Sequence, residues 1–187
     1  MIVDFRTKSE HCKLNINGAD VERVNVYKYL GVLIDNKFTF HEHSTSVYKK
    51  ALHKLFYLRK LHSVKVNNTI LSLFYRSIVQ STLLYCMCVW FGNCTIAQRR
   101  KLDRIVKTAL KLGVKDCRYT EYLYNESLFK KATKIMCDPT HQLHDCFLVM
   151  RSGKRLRNTK TRTARYHRSF LPASIRVCNS RGLDDLS

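Results

Sequence analysis

The sequence contains little proline, glycine or acid. Its 187 residues include 2 prolines, 6 glycines and 14 aspartates and glutamates. The glycines stand singly, so the glycine-rich turns that bind dinucleotides or nucleotide phosphates are excluded. Adjacent aspartates occur once, at Asp184 and Asp185, next to the C-terminus and outside any strand pattern. We therefore expect no converging carboxylates of the kind that hold paired catalytic metal ions.

Long apolar runs and signal-like segments are also missing. The longest apolar stretch, Leu83 to Phe91, is far shorter than the roughly 18 residues that indicate a membrane-spanning helix. Asp4 stands where a secretion signal carries basic residues. We expect no membrane contact and an intracellular location, nucleus or cytoplasm, in which the 8 cysteines are reduced thiols.

The patterns of several metal-dependent enzymes are absent. No histidine is followed two positions later by an acid, which excludes the usual iron triad of oxygenases. Four zinc-type ligands do share one short loop: Cys137, His141, His144 and Cys146. Their tight spacing would strain a tetrahedral site, and the alternative is a turn in which these side chains pack or form hydrogen bonds. We expect no catalytic residue, metal or other cofactor in this chain.

Positive charge dominates what is present. The 34 lysines and arginines against 14 acids leave a formal net charge of +20. Charge of this sign and size suits a polyanion, and nucleic acid bound through its phosphates is the first candidate. Such contacts do not distinguish RNA from DNA. The alternative is that the basic faces are merely solvated.

The apolar pattern predicts an α+β fold that is mainly α. Residues Ile2 to Ile34 read as strands, with a tight hairpin turn at Asn17-Gly18 and a buried strand at Tyr29 to Ile34. About four helices follow, and an irregular basic tail ends the chain. The predicted helices cover about 44–62, 68–90, 95–112 and 121–136; Thr95 with Gln98 forms a capping box at the third.

Basic residues at helical spacing, or crowded in the tail, are the candidate phosphate contacts. They form one set on the first helix, one on the third helix and one in the tail: Lys49, Lys50, Lys54, Arg59, Lys60; Arg99, Arg100, Arg104, Lys107; Arg155, Arg157, Arg162, Arg165, Arg168.

A series of short motifs spread along nearly the whole chain resembles one family. The motifs are Ile2 to Arg6, Asn15 to Val24, Tyr27 to Val32, Val47 to Ala51, Arg59 to Leu61, Phe74 to Ser77, Trp90 to Cys94, Asp138 to His141, Arg165-Tyr166 and Ser169 to Pro172. In this order they resemble the C-terminal part of LINE-type (non-LTR) retrotransposon reverse transcriptases. Tyr-Leu-Gly alone is a weak motif, whereas the ordered series is specific.

The resemblance implies a division of the chain into four parts. Residues 1–40 would be the end of the palm, 41–112 a helical thumb, 113–146 a helical connector and 147–187 a basic tail. Tyr29 and Gly31 would belong to an element similar to the primer grip. The metal-binding aspartates, their magnesium and the fingers would lie upstream, so we expect a catalytically incomplete fragment whose natural packing partner is the missing palm and fingers.

Two alternatives remain. The helical region from about Val47 to Tyr85 resembles, more weakly, the N-terminal segment of AlkB-homologue proteins, which pair a 2-oxoglutarate-dependent oxygenase with a tRNA methyltransferase. The residues for either chemistry are missing here. The other alternative is a non-functional transposon relic.

Overall fold

The computed structural model describes residues 1–6 and 10–182; Asp184 and Asp185 lie outside them. The N-terminal region forms two antiparallel hairpins. In the first, β1 (Asn15–Ile16) pairs with β2 (Ala19–Asp20). Asn17 and Gly18 connect them with φ of 50° and 82°, so both adopt the left-handed conformation that a two-residue hairpin turn requires. The predicted turn is confirmed.

The second hairpin replaces the predicted buried strand. β3 (Val26–Tyr29) and β4 (Val32–Asp35) pair with Tyr29 opposite Val32, so the chain reverses at Leu30 and Gly31. Val32 is buried, whereas the Leu30 side chain is 73% exposed at the tip of the turn. The prediction of one continuous strand was wrong because an unbroken apolar run does not reveal a turn made by leucine, which rarely has positive φ.

Asp35 directs the chain from β4 into helix α1 (His41–Ser63). Its carboxylate accepts the backbone N–H groups of Lys37, Thr39 and Phe40. Partial burial opposes ionisation, but these N–H donors outweigh it and lower the pKa of Asp35. The helix therefore starts at His41, three residues before the predicted start at Ser44. Its buried residues are His43, Ser44, Val47, Ala51, Leu55 and Leu58.

The second helical stretch is broken into pieces. α2 (Asn68–Phe74) is capped by the Asn67 side chain and runs into a π-helical segment, Tyr75–Gln80, and then α3 (Ser81–Leu84). Cys86, with φ of 48°, breaks the path before α4 (Met87–Trp90) and a single 3₁₀ turn, Phe91–Asn93. By length and composition alone, Asn68–Asn93 would suffice to cross a membrane, because an 18-residue window within it has a mean hydropathy of 1.2. Absence of membrane contact stays a prediction.

Two longer helices complete the main bundle. α5 (Ile96–Lys111) begins with the predicted capping box, in which Thr95 and Gln98 exchange hydrogen bonds. α6 (Thr120–Met136) matches the fourth predicted helix within a residue at its start. Asp103 of α5 accepts the N–H and hydroxyl of Thr120, at 3.0 and 2.7 Å, and so joins the two helices.

The C-terminal segment is more ordered than the expected irregular tail. α7 (Ala164–His167) is followed by α8 (Phe170–Arg181). α8 packs on α6 around a second apolar cluster: Ala132, Ile135, Phe147, Leu156, Ile175 and Cys178. The ten basic residues between 151 and 181 concealed this helix, although α8 itself holds two arginines and several apolar residues. The fold is α+β and mainly α, as predicted.

Gly92 lies where the tail meets the main core. A Cβ added there would overlap the backbone oxygen of Arg168 and stand 2.7 Å from the hydroxyl of Tyr124. Both neighbours are held, Arg168 by its backbone hydrogen bonds to the carbonyl oxygens of α7 and Tyr124 by its burial in α6. Only a residue without a side chain therefore fits.

We predict that Gly92→Ala lowers the free energy of unfolding by about 3 kcal/mol, because backbone must move to admit the methyl group. Gly153→Ala is the control, since Gly153 has φ of 70° but no atom near the new Cβ. Gly153→Ala should lower the free energy of unfolding by about 1 kcal/mol, because alanine disfavours a positive φ. Urea denaturation measures both, and equal losses would contradict this account.

Candidate nucleic-acid interface

An open cleft separates the tip of the second hairpin from α1 and α3. Its volume is about 440 Å³. We call it the hairpin cleft; its lining is Lys28, Gly31, His43, Val47, Lys50, Lys54, Ser81, Thr82 and Tyr85. Three lysines and three hydroxyl groups thus face one cavity, and no acid stands among the described residues that line it. The three ammonium groups are phosphate donors. Each hydroxyl already donates its one proton to a backbone carbonyl oxygen, that of Ser77, Ile78 or Leu30.

Tyr85 holds the hairpin tip in place. Its hydroxyl donates to the carbonyl oxygen of Leu30 at 2.7 Å. A Cβ added to Gly31 would stand 3.2 Å from the Tyr85 ring, so the glycine lets the turn lie flat on it. Leu30, with φ of 44°, occupies a conformation that is costly for leucine and exposes its side chain. Strain of this kind, held by a tertiary contact, is a feature of functional sites.

His43 forms the floor of the cleft and is 96% buried. Its Nδ1 accepts the N–H of Leu33 at 3.2 Å, and its ring packs edge-on against Trp90 at 5.2 Å. The other nitrogen, Nε2, has no hydrogen-bond partner within the described chain. Burial, and then the positive charge of Lys50, lower the pKa of His43 to about 4. The imidazole is therefore neutral at pH 7.

The lysines of the cleft are held to different degrees. Lys54 donates from Nζ to the Thr82 hydroxyl at 2.6 Å, which fixes its ammonium against α3. Lys28 and Lys50 are exposed, one on β3 and one on the first half of α1. One anchored donor flanked by two exposed ones can contact a phosphate backbone without reading bases.

The structure brings together only some of the predicted contact residues. Gly31, Lys50 and Lys54 line the hairpin cleft. Tyr29, 57% exposed, lies at the hairpin end but is not part of the lining. The other α1 residues, Lys49, Arg59 and Lys60, are exposed along the helix outside the cleft, and Lys60 stands 5.6 Å over the ring of Phe56.

The second predicted set divides. Arg100, Arg104 and Lys107 are exposed on α5. Arg99 instead turns inward and pairs with Glu121 at 2.6 Å, with its guanidinium 4.8 Å over the Phe91 ring.

The tail set is also dispersed. Arg155, Arg157 and Arg162 are exposed. Arg165 lies 3.6 Å over the ring of Phe5, and Arg168 reaches the neighbourhood of Gly92. No residue of the tail set lines the hairpin cleft.

The comparisons with known proteins identify one related segment. Residues 41–81 match the family model described as "Alkylated DNA repair protein alkB homolog 8, N-terminal". The match runs from the first residue of α1 to the first of α3, under a quarter of the chain. It supports the weaker of the two resemblances, that to AlkB homologues. No curated protein and no solved structure matches the chain. The reverse-transcriptase resemblance has no support from them.

The four zinc-type ligands near 137–146 are parts of a hydrogen-bonded turn. His141 Nδ1 accepts the N–H of Leu143 at 3.1 Å, and His144 Nδ1 lies 3.3 Å from the carbonyl oxygen of Ile135. Cys137 and Cys146 are exposed. Within residues 1–6 and 10–182, no three His, Cys, Asp or Glu side chains are grouped so as to hold a metal ion.

Sequence reasoning missed six of the nine residues that line the cleft. Those not among the candidates were Lys28, His43, Val47, Ser81, Thr82 and Tyr85. No signal in the sequence singled out Ser81 and Thr82, because Ser72, Arg76, Ser77 and Gln80 also interrupt the same apolar stretch. The position of His43 follows from the start of α1, which depends on Asp35 and is invisible in the apolar period.

We predict that acid destabilises the fold through His43. Its pKa in the folded chain, about 4, is below its ordinary value of 6.5, so the unfolded chain binds the proton more tightly. Stability is therefore intact above pH 6.5 and falls as the pH drops from 6.5 to about 4, by on the order of 3 kcal/mol. His43→Asn keeps an acceptor for the N–H of Leu33 but has no group that titrates in this range. Urea unfolding between pH 6.5 and 4 should therefore show that the free energy of unfolding of this variant depends less steeply on pH. An unchanged pH dependence would contradict the assignment to His43.

Gly31 and Gly18 offer a matched pair at the hairpin turns. Both have φ of 82°, but only Gly31 has a neighbour, the Tyr85 ring, within 4 Å of an added Cβ. We predict that Gly31→Ala destabilises the chain by about 1 kcal/mol more than Gly18→Ala, because the methyl group displaces Tyr85 as well as straining the turn. Urea denaturation of both variants checks this, and equal effects would mean that Tyr85 does not hold the turn.

Proposed function

We propose that this chain is a non-catalytic nucleic-acid-binding module whose hairpin cleft holds backbone phosphates of a duplex. One observation carries the proposal: Lys28, Lys50 and Lys54 line a cleft that also contains Ser81, Thr82 and Tyr85 and that is bounded by a strained hairpin tip. The exposed basic residues along α1 would extend the contact beyond the cleft. The module would act inside the cell, in the nucleus or cytoplasm.

The charge balance supports this use. A formal +20 on 187 residues repels itself, and binding a polyanion relieves that repulsion. Each ammonium placed against a phosphate also releases a condensed counterion, which makes such binding favourable and sensitive to salt. Backbone contacts of this type position a protein on a duplex without selecting sequence. Such a cleft can bind either RNA or DNA.

In its finer form the proposal follows the ordered motifs. The hairpin tip at Tyr29 to Gly31 would support a primer end, as in a LINE-type reverse transcriptase, and α1 to α5 would form the thumb that grips the template–primer backbone. The palm and fingers of the polymerase would be its packing partner. They would supply the metal-binding aspartates and their magnesium.

A second candidate is favoured by the family match at residues 41–81. In that case α1 and α2 would be the N-terminal segment that accompanies the oxygenase and tRNA methyltransferase of an AlkB homologue. The hairpin cleft would then contact tRNA rather than a primer–template duplex. Five cleft residues fall inside the matched range: His43, Val47, Lys50, Lys54 and Ser81.

A charge-matched pair of variants tests the phosphate cleft. Lys50→Gln/Lys54→Gln removes two cleft charges, and Lys131→Gln/Lys134→Gln removes two exposed lysines of α6 that do not line the cleft. Fluorescence-anisotropy titration against an RNA–DNA duplex gives the affinity across salt concentrations. We predict that the cleft variant loses about tenfold in affinity and about two units of the log–log salt slope, because two phosphate contacts disappear. Equal losses of affinity in the two variants would mean that binding depends on the total charge of the chain and not on the cleft.

The choice of ligand separates the two candidates. Tighter binding to the RNA–DNA duplex than to tRNA would support the polymerase thumb, and the reverse order would support the AlkB-homologue segment. An unfolded basic peptide of the same net charge is the control. Binding by the folded chain no tighter than by this peptide would overturn the proposal and favour a relic without function.

A further inference from the structure

A second pocket, of about 350 Å³, lies where α5, α6 and α8 meet. We call it the arginine pocket; it is lined by Gly92, Arg99, Glu121, Tyr124, Asn125, Leu128, Arg168, Ala173, Arg176, Val177 and Ser180. It has no lining residue in common with the hairpin cleft. Three arginines, Arg99 of α5 together with Arg168 and Arg176 of the C-terminal segment, thus line one concave site.

The guanidinium groups keep unused donors. Arg99 is anchored by Glu121 at 2.6 Å and by the carbonyl oxygen of Gly92 at 3.2 Å, yet its Nε is buried with no partner in the described chain. Arg176 donates from Nη2 to the carbonyl oxygen of His167 at 2.8 Å. Since each guanidinium has five N–H groups, Arg99 and Arg176 keep donors that have no acceptor among the described residues.

The pocket is also preorganised. Arg99 is stacked on Phe91, and the tight fit of Gly92 against Arg168 sets the tail segment against α6. Burial raises the pKa of Tyr124 to about 12, so its hydroxyl stays protonated and can donate. Asn125 and Ser180 add further polar groups at the wall.

We propose that the arginine pocket binds a phosphate monoester. Three arginines against one glutamate leave two positive charges, which match a phosphate dianion. A monoester presents three terminal oxygens to three forked donors, whereas an internal phosphodiester presents two and carries chain on both sides. An end group therefore matches three forked donors better than an internal phosphate does. The monoester can belong to the 5′ end of a nucleic-acid strand or to a free nucleotide, and the inference does not rest on the hairpin cleft.

Two measurements test the pocket and distinguish the sources. Thermal unfolding of the full chain is followed with inorganic phosphate, at constant ionic strength against chloride. Competition then compares one oligonucleotide carrying a 5′-phosphate with the same oligonucleotide carrying a 5′-hydroxyl. A rise of several degrees in Tm with phosphate, together with at least a fivefold preference for the 5′-phosphate, supports the strand end. The rise in Tm without that preference supports a free nucleotide. Absence of both the rise in Tm and the preference for the 5′-phosphate would overturn the proposal.

Variants locate the effect in the pocket. Arg168→Gln/Arg176→Gln should abolish the phosphate-induced rise in Tm, while Lys131→Gln/Lys134→Gln, at exposed positions of α6 outside the pocket, should retain it. Arg176 also donates to the carbonyl oxygen of His167, so its replacement can destabilise the fold as well as the site. A second variant therefore keeps all three arginines. Ser180→Asp changes an exposed wall residue and should weaken phosphate binding about tenfold through charge alone. A full response to phosphate in both pocket variants would place the site elsewhere and overturn the proposal.

Discussion

The burial of Trp90 connects the parts of this structure that carry function. The indole is fully buried and donates from Nε1 to the carbonyl oxygen of Tyr85 at 2.9 Å. This bond spans the break at Cys86, and it fixes Tyr85 where its hydroxyl meets the hairpin tip. The same ring packs edge-on against His43 on one side and Phe91 on the other. A buried aromatic side chain of this size organises its neighbours because each must pack against a rigid face.

Through these contacts one residue serves both candidate sites. His43 is the floor of the hairpin cleft, and Phe91 is the ring beneath the Arg99 guanidinium of the arginine pocket. The scarce acids have structural tasks: Asp35 turns the chain into α1, Asp103 joins α5 to α6, and Glu121 anchors Arg99. Most of the basic residues consequently have no acid to neutralise them. That unbalanced charge is the physical reason to expect a polyanionic ligand.

The sequence was informative where local chemistry decides the structure. The Asn17-Gly18 turn, the Thr95–Gln98 capping box and the amphipathic period of α5 could each be predicted, because every one depends on neighbours in the chain. The hairpin at Leu30 could not, since its positive φ is held by Tyr85, 55 positions away. α8 was missed for a similar reason, because the burial of its apolar residues depends on contact with α6.

The candidate sites were predictable only as charge. Helical spacing grouped Lys50 with Lys54 correctly, but it placed Arg99 on an exposed face, whereas the structure turns it toward Glu121. Which basic residues converge depends on long-range packing. The matching family model covers α1 and α2 and leaves both sites incomplete, so the ligand has to be found by experiment.

Amide hydrogen exchange, measured on the full chain with and without an RNA–DNA duplex, tests the central claim most directly. The account predicts that the duplex protects the turn at 29–33, the first half of α1 and the segment 81–85, because these surround the hairpin cleft. Exposed positions of α6 should change little. Protection confined to 151–168, or spread evenly over every basic segment, would contradict the claim that the cleft is the binding site.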